Sequence, residues 1–131
     1  MTKSIQSRTG SRLSLKHLSS KLVYVFGVTL LGGFLQAHAV LENSTPGAHE
    51  IVHSDHLTIA LAFNSRVDSK RSQITLISAG GPKEVPLDPQ KAPNTLKAQA
   101  NGLKAGAYRL IWQVLAADGH ITRGQIPFEV Q

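Results

Sequence analysis

The segment Leu57–Phe63 constrains the fold more than any other part of the sequence, because large apolar residues alternate in it with small ones. Leu57, Ile59, Leu61 and Phe63 fall on one side when this segment is extended. Successive side chains of a β-strand point to opposite faces of the sheet, so one face of this segment is suited to a core. The segment is therefore predicted to be a half-buried β-strand.

Six further segments share this alternation or are rich in β-forming residues, and Gly, Pro, Asn and Asp separate them. They are Val40–Ser44, Ile74–Ser78, Glu84–Leu87, Thr95–Ala100, Ala107–Ala116 and Gln125–Val130. About seven strands in roughly a hundred residues, without a helical stretch, predict an all-β fold of the Greek-key, immunoglobulin-like sandwich type. Four aromatic residues follow the strand alternation and are assigned to the core: Phe63, Tyr108, Trp112 and Phe128.

Residues 1–37 have the composition of a secretory leader. Five of the fourteen basic residues lie in the first 21 positions, and no acidic residue precedes Glu42. The apolar stretch Leu22–Leu35 follows and leads to the small residue Ala37, but its fourteen residues include three glycines. A membrane-spanning helix needs about 20 apolar residues, so a cleaved signal peptide over 1–37 is predicted, with an exported domain over 38–131 and no membrane span after cleavage.

The cleavage position is open on leader rules alone. Ala37-His38-Ala39 fits the small-x-small pattern better than Leu35-Gln36-Ala37, and cleavage after Ala39 would remove His38 with the leader. This choice decides whether the exported chain begins with a histidine.

The composition of the exported part excludes a nucleic-acid partner and sulfur ligands. The whole chain has a formal charge of +6, but residues 38–131 carry nine basic and eight acidic residues, a net charge of +1. The sequence has no cysteine, and Met1 is its one methionine. The exported domain must therefore be held by its core alone, and any metal would be bound by nitrogen and oxygen.

Two features stand apart from the scaffold: His38, directly after the leader, and the triplet Asp118-Gly119-His120 after the longest strand. A histidine that begins a chain can chelate a metal through its α-amine and its imidazole Nδ1. A free α-amine has a pKa of about 7.7–8.0, so copper can displace its proton at neutral pH. Asp118 and His120 project to the same side if extended, and Gly119 permits a bend.

Such nitrogen and oxygen donors suit Cu(II), and Zn(II) is the alternative metal. Taken alone, however, an Asp-Gly-His triplet is also typical of a β-turn with a surface histidine.

These residues stand in a sequence that resembles the CopC family of copper-resistance proteins. The matching segments are His38–Leu41, Ser44–Gly47, Leu57–Phe63, Leu103–Gly106, Tyr108–Trp112, Ala117–His120, Gly124 and Phe128–Val130. The resemblance implies a periplasmic protein with a cupredoxin-like or Ig-like β-sandwich that binds one Cu(II) ion per mature chain through His38, Asp118 and His120. It also implies copper sequestration, delivery or resistance without catalysis, and a CopD-like inner-membrane copper transporter as a possible partner.

The sequence departs from the family pattern in two places. It lacks the Met-rich loop with which some members bind Cu(I) at a separate site, so Cu(I) transfer between two sites on this protein is not expected. In Phe63-Asn64-Ser65-Arg66 it also lacks the acidic residue that many relatives carry after a Phe-Ser pair.

Three alternatives remain at this point. His49, His53 and His56 could form a second, weak metal site, although solvated loop histidines explain them equally well. A small copper monooxygenase with a histidine brace would use His38 and a second histidine, but the short chain leaves little room for a flat polysaccharide-binding surface. If the protein is instead a metal-free Ig-like interaction module, replacement of His38 and His120 should have no effect on copper uptake.

Overall fold

The computed structural model describes residues 38–131, which form eight β-strands and no helix. The strands are β1 (Leu41–Thr45), β2 (Ile51–Val52), β3 (His56–Phe63), β4 (Val67–Ser78), β5 (Gly81–Val85), β6 (Thr95–Asn101), β7 (Gly106–Ala116) and β8 (Ile121–Val130). No helix of this described part is long and apolar enough to cross a membrane. The predicted signal peptide over 1–37 lies outside the described residues.

The strands form two sheets, with the orders β1-β3-β6 and β2-β8-β7-β4-β5. All pairs are antiparallel except β2 with β8, which run parallel. The chain crosses between the sheets at five connections, which are β1–β2, β2–β3, β3–β4, β5–β6 and β6–β7. This arrangement confirms the predicted all-β sandwich, with eight strands where about seven were expected.

Sheet pairing lengthens two strands beyond their predicted limits. β4 begins at Val67 instead of Ile74, and β8 begins at Ile121 instead of Gln125. The added residues of β8 are paired with β7 in an unbroken ladder down to Leu115 opposite Ile121. Cross-strand partners therefore extend these strands where local β-propensity is weak.

The core lies between the two sheets and takes one face of each long strand. All four aromatic residues assigned to the core are buried there. The rings of Phe63 and Trp112 meet edge to face at 5.3 Å between centroids, and Tyr108 stacks on Phe128 at 5.3 Å. Ala39, two residues before β1 begins, is also fully buried, so the core extends to the very start of the described chain.

Candidate metal centre

The Asp118-Gly119-His120 triplet forms the tight connection between β7 and β8. The Gly119 N–H donates to the Ala116 carbonyl oxygen at 2.9 Å, and the Ala116 N–H donates to the His120 carbonyl oxygen at 2.8 Å. Gly119 has a φ of 86°, a left-handed conformation that side-chain-bearing residues rarely adopt. The triplet thus bends at Gly119, as its sequence permits, instead of continuing as an extended strand.

The turn is closed by the side chain of its own aspartate. The His120 N–H donates to Asp118 Oδ1 at 3.0 Å, an arrangement typical of aspartate in turns. This contact directs the second carboxylate oxygen, Oδ2, toward the two imidazoles.

His38 reaches the same place from the other sheet. Ala39 is buried beside it, which fixes the backbone of the segment that leads into β1. His38 Nδ1 lies 3.4 Å from Asp118 Oδ2, and His120 Nδ1 lies 3.0 Å from the same oxygen. The two imidazole rings are nearly perpendicular, with centroids 4.7 Å apart.

The donor set fits one small cation. One ligand atom from each of His38, Asp118 and His120 lies within 4.8 Å of the others. Metal–ligand bonds of about 2.0–2.1 Å place two ligands of one ion at most about 4 Å apart, so small side-chain adjustments suffice. Two imidazole nitrogens and a carboxylate oxygen suit Cu(II) or Zn(II).

The centre is open to solvent. The side chains of His38 and His120 are 42% and 65% exposed, while that of Asp118 is 21% exposed. An ion bound here would remain accessible to an incoming ligand from solvent or from another protein.

Hydrogen bonding favours the ionised form of the Asp118 carboxylate, which is the form that binds a cation. The backbone N–H of His120 is the main cause that lowers the pKa of Asp118, and the His120 side chain adds to it. Partial burial opposes the shift but does not reverse it. Asp118 is therefore ionised at neutral pH without a metal.

His49, His53 and His56 are not brought together. Within residues 38–131, His38, Asp118 and His120 are the one group of three or more potential ligands close enough to share an ion. The His49 N–H donates to the Pro127 carbonyl oxygen, and His56 Nδ1 contacts Asn101 Oδ1. His56 is the first residue of β3, whereas His49 and His53 lie outside the strands, and the three imidazoles share no ligand cluster.

Sequence reasoning missed the role of Asn64. The sequence marked it only as part of a segment without the acidic residue of many relatives. In the structure its side chain accepts a hydrogen bond from the Val40 backbone, two residues after His38, at 2.8 Å. No local pattern gives this contact, because its partners are 24 positions apart in the chain.

Comparison with known proteins places this architecture in a family. A sequence model of the CopC domain matches residues 41–131. The chain belongs to the CopC family. The matched part includes Asp118 and His120 and begins three residues after His38.

Two curated relatives share the CopC-family sequence. The protein YobA of Escherichia coli strain K12 is 30% identical over 102 residues, which cover 72% of this chain and 80% of YobA. The copper transport protein CutJ of Bacillus subtilis is 29% identical over 100 residues, again 72% of this chain. The match spans only 18% of the length of CutJ.

Two solved structures share the CopC-family fold. CopC from Methylosinus trichosporium OB3b superposes with a TM-score of 0.65 at 30% identity, covering 72% of this chain and 94% of that one. PcoC, a methionine-rich copper resistance protein from Escherichia coli, gives a TM-score of 0.59 at 27% identity, covering 72% and 100%. The present sequence contains a single methionine, so it does not share the composition for which PcoC is described.

Proposed function

We propose that this protein is a periplasmic Cu(II)-binding protein that holds one ion through the processed N-terminal His38, Asp118 and His120. The carrying observation is the convergence of these three side chains within 4.8 Å, from two sheets and from distant parts of the chain. Relatives described as copper resistance and copper transport proteins support copper over zinc. Copper(II) also stands above zinc in the divalent affinity order for nitrogen and oxygen sites.

The ligand set requires cleavage after Ala37. A chain beginning at His38 supplies both its α-amine and its imidazole to the ion, which an internal histidine cannot do. The burial of Ala39 supports this position, because cleavage after Ala39 would remove a core residue along with the ligand. The signal peptide is accordingly proposed to cover residues 1–37.

The exposed centre suits uptake and release of copper more than permanent storage. Incoming ligands can reach the ion while His38 and His120 still hold it, so exchange does not require the sandwich to open. We propose sequestration or delivery in the periplasm, with a CopD-like inner-membrane transporter as the partner. The exported domain has no sulfur ligand, so the proposal concerns Cu(II) and not a Cu(I) site.

We infer that no reaction is catalysed. Asp118 Oδ2 lies between the two imidazoles, in the region that a copper monooxygenase would leave open for oxygen. Reductant-dependent peroxide production or glycan cleavage by the copper-loaded protein would contradict this inference.

The first experiment is the intact mass of the protein recovered from the periplasm of its host, with and without one equivalent of Cu(II). The expected mass begins at His38 and increases by one copper ion. A mass beginning at Val40 would remove the proposed chelate and overturn the ligand set.

Replacement of one ligand tests the site with a matched histidine elsewhere. His120→Ala is expected to weaken Cu(II) binding by at least about 100-fold, since loss of mere outer partners of a metal site costs about 10- to 100-fold. His53→Ala, which removes an exposed loop histidine, should leave the affinity unchanged. Competition titration against a copper chelator measures both, and equal affinities in the two variants would exclude His120 as a ligand.

A further inference from the structure

The two ligand-bearing segments need a physical link, because Asp118 lies 80 positions after His38 and belongs to the other sheet. The connection between β3 and β4 supplies it, since Asn64–Arg66 lies between a strand of one sheet and a strand of the other. We propose that Asn64 is a positioning residue of the copper site, which holds the His38 segment against the turn that carries Asp118 and His120. This inference rests on the proposed copper function and assigns Asn64 no contact with the ion.

Asn64 is hydrogen-bonded to the His38 segment through both its side chain and its backbone. The Val40 N–H donates to Asn64 Oδ1 at 2.8 Å, and the Asn64 N–H donates to the Val40 carbonyl oxygen at 3.0 Å. Val40 precedes the first residue of β1, so these two bonds continue the attachment of β1 to β3 beyond the strand itself. With Ala39 buried, the backbone is fixed on the C-terminal side of His38.

The same connection is also hydrogen-bonded to the segment that leads into the turn with Asp118 and His120. The Ala117 N–H donates to the Arg66 carbonyl oxygen at 3.0 Å, one residue before Asp118. Val67, the next residue, pairs with Ala116 at the end of β7. Within one short stretch of chain, Asn64 is thus bonded to the His38 segment, while Arg66 and Val67 contact the residues that lead into the turn.

The ends of this connection are themselves anchored. Phe63 and Val67, on either side of it, are buried. The Phe63 N–H donates to the Asn94 carbonyl oxygen at 2.9 Å, and the Val67 N–H donates to the Pro93 carbonyl oxygen at 2.9 Å. The connection is therefore a fixed frame, and the Asn64 carboxamide transmits its position to the His38 segment.

The hydrogen bond to Val40 gives Asn64 a positioning role that does not require a carboxylate. Asn64 Oδ1 already accepts the Val40 N–H, so its contribution is to geometry and not to the charge at the ion. An aspartate there would keep an oxygen acceptor in the same position, whereas alanine would not.

The test measures the distance between the two imidazoles in the processed protein without copper, so that it does not depend on metal binding. In the wild type, ring protons of His38 and His120 should show a nuclear Overhauser effect, because their centroids lie 4.7 Å apart. Asn64→Ala should weaken or abolish this effect, and Asn64→Asp should retain it. Cu(II) affinity should fall about 3- to 10-fold in Asn64→Ala, the change expected for one lost hydrogen bond, and return in Asn64→Asp.

Asn94→Ala is the matched control. The Asn94 side chain donates to the Phe63 carbonyl oxygen at 3.0 Å, so this variant also loses one hydrogen bond to the β3 end without touching the His38 segment. It should retain the ring contact and the copper affinity. The proposal is overturned if Asn64→Ala keeps the ring contact, or if Asn94→Ala loses it equally. Absence of copper binding by the wild type would instead refute the proposed function, whatever the ring contact shows.

Discussion

At the scale of single residues, Asp118 has two separate tasks. Its Oδ1 accepts the His120 N–H and closes the turn, while its Oδ2 lies against both imidazoles. The first task is local and belongs to the fold, whereas the second depends on His38 arriving from the other sheet. One substitution can separate these tasks, because asparagine keeps the acceptor and removes the charge.

Asp118→Asn is predicted to change how stability depends on acid. The pKa of Asp118 is lowered in the folded protein, chiefly by the His120 N–H, from an ordinary value of 3.8. A carboxyl group with a lowered pKa contributes stability above its unfolded pKa and loses it as pH falls through the folded value. The wild type should therefore be more stable than the variant at neutral pH, and the difference should shrink as the pH falls below 3.8 and vanish once the pH lies below the lowered pKa of the folded protein.

Urea unfolding of the processed protein with a chelator present, repeated from neutral to strongly acid pH, measures this difference. A constant difference at all pH values would mean that the charge of Asp118 is not what stabilises the turn.

At the scale of elements, the β7–β8 ladder presents the turn and therefore sets where Asp118 and His120 lie. Its ten pairs run without interruption from Gly106 opposite Val130 to Leu115 opposite Ile121. In the middle of this ladder Trp112 pairs with Gly124, and the indole ring covers the glycine so closely that an added Cβ would lie 2.3 Å from Trp112 Cζ2. The close packing needs a glycine, although Gly124 shows no positive φ.

Gly124→Ala is predicted to destabilise the fold by about 1–3 kcal/mol, the usual cost of forcing an extra methyl into a packed core. The added methyl group would overlap the Trp112 ring, so the ring must move. This movement is costly because the other contacts of the ring include its packing against Phe63. Gly80→Ala is the matched control, since an added Cβ there meets only the Ser78 hydroxyl at 3.6 Å. Thermal unfolding measures both variants, and an equal melting temperature for them would contradict the steric account.

At the scale of the whole molecule, the sandwich has no cysteine and is held by its core. The buried side chains are apolar, and no buried polar or charged residue occurs within 38–131. A copper ion bound to His38, Asp118 and His120 would join the lead-in of β1 to the β7–β8 turn. It would therefore act as a cross-link between the two sheets.

Copper is predicted to stabilise the folded processed protein, because the complete ligand set exists only in the folded state. The gain should be about 2.7 kcal/mol when free Cu(II) is 100 times its dissociation constant, and less if the unfolded amino terminus also binds copper. Chemical unfolding with and without Cu(II) measures the gain, which a chelator should abolish. His120→Ala should show a much smaller gain, and an equal one would place the ion elsewhere.

Much of the fold could be predicted because its main signals are local. Alternation of apolar residues located β3 and most of β7, since the period of two follows from strand geometry whatever the strand pairs with. The two-residue β2 and the charged first half of β4 could not be found, because their pairing depends on β8 and β7.

The residue types of the candidate site follow from the amino-acid sequence: a histidine after a leader-like segment, and an Asp-Gly-His triplet with a glycine that permits a bend. It also showed that residues 38–131 offer no sulfur ligand. Only the tertiary structure brought His38 to the triplet, buried Ala39 and made Asn64 the partner of Val40. The reason is that a turn depends on neighbouring residues, whereas the approach of segments 80 positions apart depends on how the two sheets pack.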